Sequence, residues 1–270
     1  MLAETVRKKK PLVHCITNYV TVHEVANILL SIGASPTMAD CEKEVAEIAT
    51  MADALYLNIG TANEAIINNM LKAGKAANAA GKPIVLDPVG IGASTFRRES
   101  VRKLLCELKI SAIRGNASEI KAIAAGTTST RGVDADEGDK IEDASLDRTI
   151  QQAKTLASKL GCIIAISGKI DIVSDGVRTA ILRNGDAMMS SITGTGCMVT
   201  AVIAAYLASG NDPFGATLTA ITQMNVAGEI AKELSDEGEG NASYGIHLID
   251  SIGLIDEKVL NRRAHYEIIG

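Results

Sequence analysis

Residues 54–59 read Ala-Leu-Tyr-Leu-Asn-Ile, and this almost unbroken apolar run decides the fold. A strand with one face in water alternates apolar and polar residues. A continuous apolar run is instead typical of a strand that is covered on both faces, as in a parallel sheet. The run therefore predicts a buried parallel strand between two layers of helices.

The chain on either side of this strand repeats the same plan. Helical periodicity alternates with short apolar runs, and glycines such as Gly33 and Gly81 follow the ends of helices. The predicted strands are 12–17, 34–38, 54–59, 84–87, 112–114 and 163–166. The predicted helices are a first one ending near Lys10 and then 22–31, 42–51, 64–79, 96–108, 116–124 and 146–160.

The second half of the chain departs from strict alternation. Residues 126–145 lack periodicity and are expected to form a surface excursion or lid. Strands at 170–173 and 177–182 are expected to pair around the turn 174–176, and a further strand is expected at 188–192. The remaining predicted helices are 197–208, 213–234 and 244–254. The whole pattern predicts a single domain, 1–270, built as a three-layer α/β/α sandwich with a largely parallel central sheet.

Composition excludes several classes of function. Of the 270 residues 47% are hydrophobic and only 3% aromatic, with no tryptophan, and the net charge is −5. An acidic surface and few aromatic rings argue against a nucleic-acid partner. The five cysteines form no C-x-x-C pair, so we expect reduced thiols. No apolar stretch approaches the length of a membrane span, and we expect a cytoplasmic protein.

The segment Thr193-Gly194-Thr195-Gly196-Cys197 is the first candidate functional element. Glycines let the backbone turn sharply and approach a ligand, and the helix that follows offers unpaired N–H groups to an anion. The segment therefore predicts a phosphate-binding turn. Cys197 would lie on the positive end of this helix, where the pKa of a thiol tends to fall.

Polar residues at the ends of the predicted strands supply further candidates, because parallel sheets bind ligands at the carboxyl ends of their strands. Asp87 ends a strand before a Pro-Val-Gly turn and is placed to hold Mg²⁺, although a turn-forming aspartate explains the same residues. Asn116 and Glu119 have the spacing of a capping box, and Glu119 is also placed to face a cation or a phosphate.

Arg114 and Ser167 also stand at strand ends. A buried strand that ends in arginine needs an anionic partner, either a nucleotide phosphate or a nearby carboxylate. Ser167-Gly168 is either a plain turn or a nucleotide contact. The chain contains no Walker A pattern, so ATP would not bind in the P-loop manner. A Cys-His hydrolase built on Cys197 with His14 or His23 is an alternative without an identified orienting partner.

Taken in order, these motifs resemble the ribokinase-like small-molecule kinases and, within them, the hydroxyethylthiazole kinase family. The resemblance covers roughly residues 5–260. The segments that carry it are 12–18 (LVHCITN), 33–38 (GASPTM), 57–61 (LNIGT), 86–90 (LDPVG), 113–119 (IRGNASE) and 193–197 (TGTGC).

The resemblance implies transfer of the ATP γ-phosphoryl group to the hydroxyl of 4-methyl-5-(2-hydroxyethyl)thiazole in thiamin salvage, with Mg²⁺, in a homotrimer whose sites lie at subunit interfaces. The implied residue roles are thiazole contacts for Met38, Gly194 and Asn18, ATP contacts for Arg114 and Ser167, an anion hole for Thr193, Gly194, Thr195 and Gly196, and a metal and phosphate region at Asp87, Asn116 and Glu119.

The resemblance implies that most ribokinase-like enzymes have a catalytic aspartate at the position of Cys197. This chain departs from that pattern. We expect Cys197 to act as a weak catalytic base. Three other functions remain open: a kinase for another hydroxymethyl heterocycle such as the thiamin pyrimidine, an ATP-dependent dehydratase of hydrated nicotinamide cofactors, and a non-catalytic nucleotide-binding protein of the same fold.

Overall fold

The computed structural model of the chain describes residues 3–126, 146–210 and 212–270. The strands are β1 (Leu12–Ile16), β2 (Ser35–Met38), β3 (Ala54–Asn58), β4 (Ile84–Asp87), β5 (Ala112–Asn116), β6 (Ile163–Ser167), β7 (Asp171–Ser174), β8 (Thr179–Leu182) and β9 (Tyr266–Ile269). The helices are α1 (Ala3–Lys9), α2 (Val22–Ser31), α3 (Val45–Met51), α4 (Glu64–Ala79), α5 (Thr95–Glu107), α6 (Ala117–Ala125), α7 (Leu146–Leu160), α8 (Thr195–Ser209), α9 (Pro213–Leu234), α10 (Asn241–Leu254) and α11 (Glu257–Arg263).

All the described strands belong to one sheet with the order β2-β1-β3-β4-β5-β6-β7-β8-β9. The strands from β2 to β6 pair in parallel, whereas β7, β8 and β9 are added antiparallel. The order in which the chain adds strands reverses at β1, because β2 lies on one side of β1 and β3 lies on the other. A reversal of this kind opens a crevice outside the carboxyl ends of the strands, where ligands of open α/β sheets bind.

The strand at 54–59 has the environment that its composition predicts. All five residues of β3 are buried. Tyr56 belongs to the apolar core on the face of the sheet where α8 contacts β3, while Leu55 and Leu57 belong to the core on the face where α4 contacts β3. Because successive side chains of a strand point to opposite faces, two helical layers cover β3. The three-layer α/β/α sandwich and its largely parallel sheet are confirmed.

Side-chain caps fix where several helices begin. Asn63 accepts a hydrogen bond from the backbone of Ile66 at the start of α4, and Ser94 accepts one from Arg97 at the start of α5. Asp212 caps α9, in which Pro213 occupies the first turn. The local sequence therefore predicts these boundaries closely.

The predicted strand at 188–192 is wrong. Residues 187–191 form a short 3₁₀ helix, in which the Asp186 carboxylate accepts a hydrogen bond from the Met188 N–H at 2.8 Å. The edge of β8 that such a strand needs is taken by β9, which pairs with β8 over four residues. Neither β9 nor α11 is predicted from the sequence.

Smaller differences concern the ends of elements and one segment. Helix α3 begins at Val45 rather than at residue 42, and α10 begins at Asn241 rather than at residue 244. Gly126 ends α6 with φ of 70°, and the rest of the predicted excursion, 127–145, lies outside the described residues. No helix in the described parts of the chain has the length and hydropathy that crossing a bilayer requires.

Candidate active site

The turn before α8 has the conformation that its glycines suggest. Gly194 has φ of 92°, a left-handed conformation that side chains disfavour, and a Cβ there would lie 3.0 Å from a Thr21 methyl group. The Thr195 hydroxyl lies 2.7 Å from the Met189 carbonyl oxygen, which holds the turn against the preceding 3₁₀ helix. The first N–H groups of the 15-residue helix α8 are thus available to an anion.

Arg114 lies beside this turn. Its guanidinium packs so closely on Gly196 that any Cβ at that position would collide with it. Nη2 donates a hydrogen bond to Ser167 Oγ at the end of β6, whereas the buried Nε has no partner among the described residues. Arg114 thus joins Ser167 to the first turn of α8, and this cluster stays a predicted phosphate site.

Asp87 is fully buried at the end of β4. Its Oδ2 lies 2.9 Å from Thr200 Oγ1, and its Oδ1 is buried without a hydrogen-bond partner in the part of the chain that the structure describes. Burial raises the pKa of this carboxyl to about 7, with Arg114 opposing the rise and Glu119 adding to it.

Thr200 shows where a proton on Asp87 would lie. The Thr200 hydroxyl has one hydrogen but two acceptors at 2.9 Å, Asp87 Oδ2 and the Gly196 carbonyl. With a proton on Oδ2, Asp87 donates to Thr200 and Thr200 donates to Gly196, so both contacts become hydrogen bonds. The geometry therefore suits a neutral Asp87 when no cation is bound.

Glu119 and Asn116 form a complete capping box at the start of α6. The Asn116 carboxamide accepts from the Glu119 N–H at 2.8 Å, and Glu119 Oε2 accepts from the Asn116 N–H at 2.8 Å. Glu119 Oε1 also accepts from the Gly90 N–H at 2.9 Å. Burial raises the pKa of Glu119, while these backbone bonds and Arg114 act against the rise. Glu119 thus ties the turn after β4 to the end of β5, close to the charge of Asp87.

Cys197 is buried in the first turn of α8, where two carboxamides contact its sulfur. Asn18 Nδ2 and Asn58 Nδ2 each lie 3.3 Å from Sγ, and Asn18 Nδ2 also lies 3.1 Å from Asn58 Oδ1. The expected fall in the pKa of the thiol is wrong. Burial raises the pKa of Cys197, the nearby Asp87 adds to the rise, and the hydrogen bonds from Thr21 and Asn18 only partly oppose it.

The histidines do not support a Cys-His hydrolase. The buried His14 ring is hydrogen-bonded through Nε2 to the Ala39 carbonyl at 2.7 Å, and desolvation lowers its pKa. The His23 ring is exposed and contacts the Asn27 carboxamide. The general base that a thiol nucleophile needs is therefore not supplied by either of these two rings.

A cavity of about 310 Å³ opens at the carboxyl ends of β1, β2 and β3. Asn58 links the cavity to the site around α8, because the same side chain lines the cavity and contacts Cys197. Met38 lines it at the end of β2 and is 38% exposed. The other lining residues are Cys15, Thr17, Tyr19, Val22, Ala39, Asp40, Thr61, Ala62, Asn63 and Ile66.

The predicted site residues thus divide between two adjoining places. Met38 lines the cavity. Asn18 contacts Cys197 and also contacts Asn58, which lines the cavity. The remaining candidates surround the first turn of α8 or the ends of the strands that face it, namely Asp87, Arg114, Asn116, Glu119, Ser167, Thr193, Gly194, Thr195 and Gly196. In the sequence, only its position at the end of a predicted strand marked Asn58 as a candidate site residue. Tyr56, whose hydroxyl accepts from Asn58 at 2.8 Å, and Thr200 gave no signal, since each stands within an apolar run.

Known proteins that are similar in sequence to this chain belong to one family. The profile described as "Hydroxyethylthiazole kinase family" matches residues 3–258. A hydroxyethylthiazole kinase from Clostridium acetobutylicum is 49% identical over 98% of this chain and 97% of its own length. One from Clostridium beijerinckii is 50% identical over 97% and 94%. A solved hydroxyethylthiazole kinase structure from Pyrococcus horikoshii OT3 superposes with a TM-score of 0.88 at 35% identity, covering 99% of this chain and 97% of that one.

Proposed function

This chain belongs to the hydroxyethylthiazole kinase family, and we propose that it transfers the γ-phosphoryl group of ATP to the primary hydroxyl of 4-methyl-5-(2-hydroxyethyl)thiazole. One observation carries the proposal beyond family membership. Asn58 contacts both the 310 Å³ cavity and Cys197 in the first turn of α8, so an alcohol in the cavity adjoins the anion-binding turn. An acceptor pocket next to a phosphate site is the arrangement that phosphoryl transfer needs.

The cavity suits the acceptor. Met38, Cys15, Ile66 and Ala62 give it an apolar wall, and the Met38 thioether is well suited to pack on a sulfur-containing aromatic ring. Asn58 supplies a polar group on the side that faces α8. In this orientation the ring lies among apolar side chains, and the hydroxyl points towards Cys197.

The phosphoryl group is expected at the turn before α8. The N–H groups around Gly194, Thr195 and Gly196 would bind its oxygens as charge shifts in the transition state, and Thr193 completes the turn. Arg114, which bonds Ser167, would neutralise charge on the nucleotide phosphates. Cys197 would accept the hydroxyl proton, and because burial raises its pKa the thiolate fraction at neutral pH is small. We therefore expect a weak base at Cys197.

The residues present fit Mg²⁺. Asp87 Oδ1 is a buried carboxylate oxygen without a partner among the described residues, and Glu119, with Asn116 behind it, lies beside it. No three His, Cys, Asp or Glu side chains cluster as ligands within the described ranges. Mg²⁺ in nucleotide sites is held by one or two carboxylates together with the phosphates of the nucleotide, so a larger cluster of protein ligands is not required. When bound there, Mg²⁺ would neutralise charge on the transferring phosphates.

We further propose a homotrimer with its sites at subunit boundaries, as the family resemblance implies. Tyr19, which lines the cavity, and the neighbouring Val20 are 78% and 57% exposed. A neighbouring subunit that covered these side chains would complete the cavity wall. Light scattering should give three times the mass of one chain, and a monomeric mass at assay concentration would contradict this assembly.

The function is tested by incubating the purified protein with Mg-ATP and a panel of heterocyclic alcohols. We expect ADP and a thiazole phosphate ester to form in equal amounts, detected by mass spectrometry, with little product from the hydroxymethylpyrimidine. Preferential phosphorylation of the pyrimidine would instead identify the protein as a hydroxymethylpyrimidine kinase. Tight ATP binding without turnover of any alcohol would favour a non-catalytic nucleotide-binding protein.

A further inference from the structure

Asp171 is a buried carboxylate that the proposed chemistry does not use. It is the first residue of β7 and is 5% exposed. Burying a carboxylate is unfavourable unless strong hydrogen bonds or an opposite charge compensate it. Its position four residues after Ser167 places it at the base of the turn that carries this predicted ATP contact.

Each oxygen of Asp171 accepts one short hydrogen bond. Oδ1 accepts from the Gly168 N–H at 2.8 Å, and Oδ2 accepts from Asn225 Nδ2 at 2.6 Å. Asn225 is itself buried, in the middle of the 22-residue helix α9. Asp171 therefore connects the backbone of the β6–β7 turn to a long helix that packs on the sheet.

The turn held in this way is otherwise exposed. Gly168 and Lys169 lie at the surface between β6 and β7, whose pairing ends at Ile166 and Ile172. Ser167, just beyond that pairing, accepts the hydrogen bond from Arg114. The bond from Gly168 to Asp171 ties the backbone of this turn to α9, while Ser167 itself pairs with Asn116 of β5.

The charge of Arg114, which donates a hydrogen bond to Ser167, also acts on Asp171. Burial raises the pKa of Asp171, and the hydrogen bonds from Asn225 and Gly168 and the charge of Arg114 act against the rise. Arg114 also acts on Asp87 and Glu119, so its guanidinium lies among three buried carboxyl groups. Of these three, Asp171 lies on the Ser167 side, and its two oxygens are engaged by Gly168 and Asn225. The charge of Arg114 therefore stabilises the Asp171 carboxylate from a distance.

We propose that Asp171 and Asn225 are positioning residues for the nucleotide: they clamp the Ser167-Gly168 turn onto α9, so that Ser167 and Arg114 are held ready to bind the ATP phosphates. This inference rests on the proposed kinase function. Neither Asp171 nor Asn225 is among the residues that line the thiazole cavity. Loss of the clamp should therefore weaken nucleotide binding selectively, because the side chains that line the acceptor cavity are unchanged.

The first test compares Asp171→Ala and Asn225→Ala with the wild type. We expect the KM for ATP, and the dissociation constant of ADP measured by calorimetry, to rise roughly tenfold, as loss of about 1.4 kcal/mol of binding free energy produces. The KM for the thiazole alcohol should stay within about twofold, since the contacts of the cavity are intact.

The second test exchanges the two side chains. Asn225→Asp alone places two carboxyl groups in contact, which can share one proton at low pH but repel each other once both ionise as pH rises. We expect it to weaken ATP binding more as pH rises from 6 to 8. The double variant Asp171→Asn/Asn225→Asp restores one carboxylate paired with one carboxamide, and its new amide oxygen can still accept from Gly168. It should recover ATP affinity relative to Asn225→Asp, and an absence of recovery would contradict the clamp.

A matched control separates positioning from general stability. Gln223 lies on the same helix, is buried, accepts from the Tyr206 hydroxyl and donates to the Ile252 carbonyl at 3.0 Å. Gln223→Leu should lower the melting temperature without changing the KM for ATP. If Asp171→Ala lowers stability in the same way and leaves ATP binding unchanged, the positioning role is wrong.

The outcomes also distinguish this inference from the proposed function. A wild-type protein that forms no thiazole phosphate overturns the kinase function, whatever the variants do. An active wild type whose ATP affinity is insensitive to Asp171 and Asn225 overturns only the clamp. If Asp171→Ala does not fold, the comparison of Asn225→Asp with the double variant still decides.

Discussion

Replacing Asp87 with asparagine should make the protein more stable at alkaline pH while removing its activity. Asp87 is fully buried, and its pKa is about 7 in the folded protein against 3.8 for an unperturbed aspartate. Between these values the folded protein holds a proton that the unfolded chain has released. The free energy of unfolding of the wild type therefore falls as pH rises from about 4 to about 7.

The size of the effect follows from the two pKa values. Their separation, 3.8 to about 7, corresponds to about 4 kcal/mol at about 1.4 kcal/mol for each unit. This is an upper limit, because Glu119 lies close enough to share the proton. The carboxamide that Asp87→Asn introduces stays neutral at every pH. It can donate to Thr200 Oγ1, which reproduces the hydrogen bonds of the protonated carboxyl.

The assay is thermal and urea unfolding of the wild type and Asp87→Asn at pH 4 and pH 8, with chelator present so that no divalent cation binds. At pH 4 the two proteins should differ little, because pH 4 is close to the unfolded pKa of 3.8 and the stability difference develops only as pH rises above that value. At pH 8 the variant should be more stable by several kcal/mol and melt at a higher temperature, by about 2–3 °C for each kcal/mol. Phosphorylation should fall to background, because the variant has lost the carboxylate proposed to hold Mg²⁺.

A control and a refuting outcome complete the test. Asp250 is exposed on α10, and Asp250→Asn removes the same charge without a desolvated group, so it should change stability little at either pH. If Asp87→Asn is less stable than the wild type by the same amount at both pH values, the argument from desolvation is wrong.

Three further predictions concern the acceptor and phosphate sites. Cys197→Ala should lower kcat only modestly and Cys197→Asp should raise it, because a carboxylate ionises far more readily than a buried thiol; steady-state kinetics that show no change in either would remove Cys197 from the chemistry. Gly196→Ala should lower kcat about 10- to 100-fold with little loss of stability, since its Cβ must displace the Arg114 guanidinium; an unchanged kcat would show that the guanidinium has room to move. Met38→Ala should raise the KM for the thiazole alcohol roughly fivefold, corresponding to about 1 kcal/mol of lost apolar contact, and leave the KM for ATP unchanged; the reverse pattern would place the ring elsewhere.

The amino-acid sequence by itself determined the architecture and most of the helix boundaries. The apolar run at 54–59 requires burial on both faces, and caps such as Asn63 and Ser94 act within a few residues of themselves. These are local effects, so they can be read without knowing what the strand or helix packs against. The strand-end positions of Asp87 and Ser167 follow from the same alternation, whereas Arg114 lies in the middle of β5, two residues before the strand ends.

Tertiary structure decided the features that depend on distant neighbours. Residues 187–191 form a 3₁₀ helix instead of a strand, and β9, from the far end of the chain, takes the edge of β8. The pKa of Cys197 rises because burial outweighs the hydrogen bonds donated to it, although its position at a helix end suggested the opposite.

The sequence also could not predict the contacts that join the acceptor cavity to the residues around the first turn of α8. Asn58 meets Cys197 across 139 residues, Thr200 meets Asp87 across 113, and Asn225 meets Asp171 across 54. A side chain within an apolar run carries no local mark of such a partner. The sequence therefore located the turn before α8 that is proposed to bind phosphate, whereas the packing of α8 and α9 on the sheet determined which carboxylates and carboxamides surround it.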